Sequence, residues 1–81
     1  MKTVVKLFAR ARDLAGTSEL QLDLPESATV ADLRTQLGEQ VPALRPILAS
    51  LLIAVGNDYA ASTLRVAGRA DLAVFPPVSG G

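Results

Sequence analysis

One apolar stripe at helical spacing sits inside a chain that otherwise alternates. Val30, Leu33, Leu37 and Val41 line one face of a helix, while Asp32, Arg34, Gln36 and Glu39 lie mostly off it. Thr29 followed by Asp32 has the form of a capping box, with Asp where Glu or Gln is usual, so the helix is predicted to start there. Gly38 weakens its last turn by up to about 1 kcal/mol relative to alanine, and Pro42 closes it. A lone amphipathic helix must lay its stripe on another element, and the flanking segments supply one.

From Lys2 to Ala9 the residues alternate, with Thr3, Val5 and Leu7 on one face and Lys2, Val4, Lys6 and Phe8 on the other. Arg10 to Thr17 reads as an irregular connection ending near Gly16. Ser18 to Leu24 then alternates with Leu20, Leu22 and Leu24 inward, which pairs it with the first strand as an antiparallel hairpin, and Pro25 stops it. After the helix, Ala43 to Ser50 adds a short helical turn beyond Pro46. Leu51 to Val55 is a buried strand followed by a turn at Gly56-Asn57-Asp58, and Tyr59 to Val66 supplies a short edge strand. Gly68 marks a turn. In Asp71 to Phe75, Leu72 and Val74 point inward and Ala73 and Phe75 outward, and Pro76 ends the strand.

Strand, strand, helix, strand, short strand, strand is the order of an α+β domain with a mixed sheet and one main helix packed on one face. A right-handed crossover places the last strand parallel to the first, in the middle of the sheet. This is the β-grasp, or ubiquitin-like, arrangement. It puts Phe8 and Phe75 on the open face, away from the helix, as a candidate protein interface.

Composition removes most other options. The chain of 81 residues is one small domain with room for one core. Its longest apolar run, Leu51 to Val55, is too short to span a bilayer. Eight basic residues balance eight acidic ones, and no segment carries an electrostatic footprint for nucleic acid or an anionic membrane. With no cysteine and no histidine, disulfides, thiol nucleophiles and the commonest neutral-pH base are all missing, which disfavours a hydrolase or a metalloenzyme. Met1-Lys2-Thr3-Val4-Val5-Lys6 carries charge at once and does not read as a signal peptide, so a cytoplasmic location is expected.

Residues 1–75 therefore read as the domain and 76–81 as an extended tail. Pro76 and Pro77 cannot donate ladder hydrogen bonds, so the chain must leave the sheet there in an extended form. Val78 and Ser79 lead to Gly80 and Gly81, the thinnest backbone available, and the tail reaches roughly 20 Å at about 3.3 Å per residue. A carboxylate at Gly81 is a poor acyl donor until an outside enzyme adenylates it with ATP. A sulfur nucleophile could then displace AMP and leave a thiocarboxylate, which would carry sulfur without a cysteine. The two glycines suit a narrow channel from which water is kept out. Acid, base and electrostatic stabilisation would come from the partner.

Val5-Lys6-Leu7-Phe8-Ala9, Arg12-Asp13-Leu14-Ala15-Gly16, Ala28-Thr29-Val30-Ala31-Asp32-Leu33-Arg34 and, most specifically, Ala73-Val74-Phe75-Pro76-Pro77-Val78-Ser79-Gly80-Gly81 carry a resemblance. Over nearly its whole length the chain resembles the small, sulfur-carrier subunits of molybdopterin synthase, which are bacterial ubiquitin-like proteins. The resemblance implies a β-grasp fold and a non-catalytic, sulfur-donating subunit that binds no cofactor or metal of its own. It also implies activation of Gly81 by an ATP-dependent adenylating enzyme, loading by a sulfur-donating enzyme, and a heterotetramer with a large catalytic subunit. There the tail, from Pro76 to Gly81, enters the partner's active site and donates sulfur to a pyranopterin precursor. The positions of Phe75 and Phe8 resemble family contacts with the large subunit. The chain departs from the family at two turns: Ala-Val-Asn is common where it has Ala54-Val55-Gly56-Asn57, and Gly-Asp-Glu where it has Arg69-Ala70-Asp71. A sulfur carrier for thiamine thiazole synthesis, a ubiquitin-like modifier joined to lysines, and a plain interaction domain with an inert tail are the competing readings. The double proline before Val78 favours the molybdopterin synthase subunit over the thiamine carrier.

Overall fold

The capping box forms as the sequence predicts. In the computed structural model, which describes residues 1–56 and 58–77, the Asp32 N–H donates to Thr29 Oγ1 and the Thr29 N–H donates to Asp32 Oδ2 at 2.9 Å. Together they satisfy two of the unpaired donors at a helix start. Thr29→Ala is expected to cost about 1 kcal/mol, read as a lower urea midpoint with an unchanged slope.

Eight elements follow in order: strand β1 (Lys2–Leu7), helix α1 (Ala9–Ala15), β2 (Glu19–Asp23), α2 (Val30–Gln40), a 3₁₀ segment (Pro42–Ser50), β3 (Leu52–Val55), β4 (Asp58–Tyr59) and β5 (Leu72–Phe75). The sheet order is β2-β1-β5-β3-β4. β1 runs antiparallel to β2 and parallel to the central β5, with Val5 opposite Leu72 and Leu7 opposite Val74. This is the β-grasp topology that the crossover rule predicts. Val5, Leu7, Leu22, Ile53, Leu72 and Val74 from the sheet meet Val30, Leu33 and Leu37 of α2 in one buried core.

Three expectations need correction. The connection between β1 and β2 is a helix, α1, rather than an irregular loop. Ala11, Leu14 and Ala15 turn one face toward the core, and Gly16 closes the helix in the left-handed region, its N–H donating to the Arg12 carbonyl. The helix is hard to read because Phe8, at its start, offers no side-chain cap and the periodic signal covers only one turn. Second, the 3₁₀ segment begins at Pro42, earlier than predicted, and runs through Pro46, since proline's fixed φ suits a 3₁₀ turn. Third, β4 has two residues and does not reach Val66. Beyond it the chain bonds to the start of α2 instead: the carbonyls of Leu64 and Ser62 accept from the N–H groups of Val30 and Ala31, and Arg65 forms an isolated bridge with Thr29.

Gly38 has a use that its helix propensity hides. It is buried where the 3₁₀ segment packs on α2, and a Cβ there would lie 2.7 Å from Leu48 Cδ2. Arg45 Nε donates to the Gly38 carbonyl at 2.9 Å, and Arg34 Nη1 donates to the carbonyls of Leu48 and Leu51 at 2.6 and 2.9 Å. These bonds fasten α2 to the segment that leads into β3.

Thr3 is the one buried polar side chain among the described residues. Its hydroxyl donates to the Met1 carbonyl at 3.2 Å and accepts from the Gly68 N–H at 3.0 Å, tying the turn before β5 to the start of β1. Thr3→Val keeps the shape and leaves that N–H without its partner. A loss of about 1–3 kcal/mol is expected, measured by chemical denaturation.

Candidate functional site

The central strand ends where the sheet's open face is most apolar. β5 pairs with β1 on one side and β3 on the other, so the chain leaves at Phe75 from a point held on both edges. Pro76 is half-buried and Pro77 exposed, and neither can extend the ladder. Val78, Ser79, Gly80 and Gly81, which the sequence marks as the working end, lie outside the described residues, as does Asn57.

Register defines the face. Lys6 stands opposite Glu19 on one side and Ala73 on the other, Ala73 opposite Ala54, and Ala54 opposite Tyr59. One step along, Phe75 stands opposite Leu52. The face is thus charged over β2 and β1 and apolar over β5, β3 and β4.

Phe75 is half-buried and pairs with Tyr59, ring centroids 6.0 Å apart and planes tilted by 45°, a geometry favourable for aromatic rings. Tyr59 is 70% exposed and Phe8 is 46% exposed. Phe8 continues β1 beside the end of β5, its N–H donating to the Val74 carbonyl at 3.1 Å. Backbone register therefore brings Phe8 and Phe75 to neighbouring strands, while the aromatic partner of Phe75 is Tyr59. Sequence reading assigns Tyr59 only to an edge strand. Its one available signal is an aromatic residue directly after a Gly-Asn-Asp turn, and its face is decided by the β3–β4 register.

The turn before β5 holds a two-pronged ion pair. Arg69 Nε and Nη2 each reach an Asp71 carboxylate oxygen at 2.8 Å. The Asp71 carbonyl accepts from the Gly56 N–H, which links this turn to the one after β3. The hydrogen bond from Arg69 holds the Asp71 carboxyl below the usual carboxylate range, and the same bond raises the Arg69 guanidinium. Because the folded-state value for Asp71 is depressed, its contribution to stability is full above the ordinary aspartate range and is lost as pH falls through the lowered value. Asp71→Asn should narrow the stability gap with the parent chain on acidification, seen in urea midpoints across acidic pH. Half-exposed as the pair is, raised salt should shrink the difference.

No helix among the described residues is long and apolar enough to cross a membrane. The ThiS family model matches residues 5–81. A molybdopterin synthase sulfur carrier subunit from Arabidopsis thaliana is 35% identical over 77 residues, covering 95% of this chain and 80% of that protein. Among solved structures, SAMP1 of Haloferax volcanii, a small archaeal modifier protein, superposes with a TM-score of 0.85 at 30% identity and full coverage of both chains. A Pyrococcus furiosus protein provisionally described as molybdopterin converting factor, subunit 1, gives a TM-score of 0.84 at 32% identity over 96% of this chain and 99% of its own. With a family match that starts inside β1 and runs through the tail, on a β-grasp sheet whose central strand delivers that tail, the chain belongs to the ThiS family.

Proposed function

We propose that this chain is the sulfur-carrier subunit of a molybdopterin synthase and works in the cytoplasm. An ATP-dependent adenylating enzyme converts the Gly81 carboxylate to an acyl-adenylate with release of pyrophosphate. A sulfur-donating enzyme then supplies the nucleophile that displaces AMP and leaves the thiocarboxylate. The chain docks on a large catalytic subunit, as a heterotetramer, through the open face around Phe8, Tyr59 and Phe75. Residues 76–81 carry the sulfur into that subunit's site, where a pyranopterin precursor accepts it. ATP serves the activating enzyme, and this chain binds no cofactor or metal.

The observation that carries this reading is the exit of the central strand into Pro76 and Pro77 beside the Tyr59–Phe75 pair. A strand held on both edges fixes the tail's origin, and an apolar patch at that origin fixes the orientation of whatever docks there. The test is reconstitution. The loaded chain, the large subunit and the precursor together should yield the dithiolene product, and omission of either protein should yield none. If the complete mixture stays inactive while a known carrier subunit turns over with the same large subunit, the reading fails.

The full-length likeness to a small archaeal modifier protein favours a second reading, in which the activated Gly81 is passed to lysine side chains of other proteins. That reading predicts high-molecular-weight conjugates that survive reduction.

A further inference from the structure

Of the eight cationic side chains only Lys2 and Lys6 are lysines, and the rest are arginines. A guanidinium stays protonated and is no acyl acceptor, whereas a lysine that sheds its proton is a nucleophile. Both lysines project from β1 onto the open face, and the rest of the chain carries no side-chain amine. The third amine, the N-terminal ammonium, is held by Asp23 Oδ1 at 3.0 Å and by the Leu24 carbonyl.

Lys2 and Lys6 differ in their surroundings. Lys2 stands opposite Asp23, whose carboxylate is taken by that ammonium. Lys6 stands opposite Glu19, which forms no ion pair among the described residues. Lys6 and Glu19 line a notch of about 240 Å³ at the end of β1, with Ser18 and Arg12 beside them and Leu7 and Phe8 as an apolar wall. Arg12 is already engaged by Asp13 at 3.6 Å. An amine, an unengaged carboxylate and a hydroxyl in one recess are the parts that aminolysis of an activated carboxyl group uses: nucleophile, proton acceptor and donor to the carbonyl oxygen.

We propose that Lys6 is a site of self-conjugation, acylated by the activated Gly81 of a second copy of this chain. The Lys6 amine, having lost one proton to water, attacks the Gly81 carbonyl carbon of the acyl-adenylate while Ser18 donates to the carbonyl oxygen. A C–N bond forms, the bond from that carbon to the phosphate oxygen breaks, and AMP leaves with the electron pair. A second proton passes from nitrogen to Glu19 and on to water, and an isopeptide bond joins the two copies. Glycine suits the recess because a backbone without side chains can pass the Phe8 ring. Lys6 lies beside Ala73, and the chain's own end runs on past it, parallel to β1, through Pro76 and Pro77, which favours a second copy as donor. Conjugation there places a whole domain over the open face. This proposal rests on the lysine-conjugation reading above and names an acceptor for it.

The full chain is incubated with an activating enzyme and ATP at mildly alkaline pH, without a sulfur source, while pyrophosphate release reports adenylation. A reducing, denaturing gel and the intact mass should show a species of twice the chain's mass less one water, and peptide mapping should find Gly81 joined to Lys6. Per pyrophosphate released, Lys6→Arg should lower the yield about ten-fold or more, and Lys2→Arg should stay within about two-fold. Glu19→Gln should slow conjugation about ten-fold, with Glu19→Asp restoring part of the rate at an equal melting temperature. A parallel incubation adds a lysine-rich protein as an alternative acceptor. Full yield with Lys6→Arg, a bond mapped to Lys2 or Met1, or a single chain closed on itself overturns the proposal. Conjugates on the added protein with none between copies also overturn it and leave the conjugation reading standing. Adenylation without conjugates in either incubation sinks that reading and the proposal together. If an enzyme proven on another carrier releases no pyrophosphate, activation itself falls, and the proposal with it.

Discussion

Deletion of Gly81 is expected to reduce sulfur loading and product formation to background. Incubated with an adenylating enzyme, ATP and a sulfur source, the full chain should gain the mass difference of one oxygen replaced by sulfur, and the shortened chain should gain none. Geometry sets the size of the effect. One residue less removes about 3.3 Å of reach, and a 1 Å misplacement of a reacting group costs on the order of a hundred-fold in rate. Fold stability should not change, because the hydrogen-bonded sheet ends at Phe75. A melting temperature equal to the parent's would assign the loss to chemistry rather than to unfolding. An unchanged mass for the full chain, with an activating enzyme proven on another carrier, would sink every carrier reading together.

Phe75→Ala is expected to have the second largest effect. An aromatic side chain near the centre of a docking patch typically costs about 2–4 kcal/mol on truncation, which corresponds to roughly thirty-fold to a thousand-fold in affinity. In the proposed docking mode Phe75 meets those conditions: it stands at the tail's origin, is half-buried, and is supported by Tyr59 at 6.0 Å. Its partial burial makes the stability cost smaller than for a core residue, about 1–2 kcal/mol, so the variant remains folded in the binding assay. Tyr59→Ala should follow the same direction with less effect on stability, since the ring is mostly in water. A complex with Phe75→Ala as tight as the parent's would show that the open face is not the docking surface.

Much of the architecture is legible in the chain because its signals are local. The alternation of Thr3, Val5 and Leu7, the Thr29–Asp32 box and the stripe of Val30, Leu33 and Leu37 each depend on a few neighbouring residues, and each appears in the structure as read. Two prolines end β5 for equally local reasons. The missed elements had weak local signals or distant partners. Helix α1 has no cap and little more than one periodic turn, and it forms because Ala11 and Leu14 find the core. The chain after Tyr59 turns away from the sheet because the carbonyls of Ser62 and Leu64 meet the free N–H groups of α2, more than thirty residues earlier in sequence. Gly38 reads as a weakness in a helix until the 3₁₀ segment is seen packed against it.

The open face divides along the same line. By itself the sequence determined that a strand stops at Phe75, that two prolines follow it and that Gly80 and Gly81 lie beyond them, because proline's missing donor and glycine's missing side chain act wherever they are placed. Only the tertiary structure decided which side chains surround that exit. Tyr59 reaches Phe75 through two strand registers, and Lys6, Arg12 and Glu19 line one notch because β1, α1 and β2 meet there. Such neighbours are set by long-range pairing, in which a slip of one residue would turn every side chain to the opposite face.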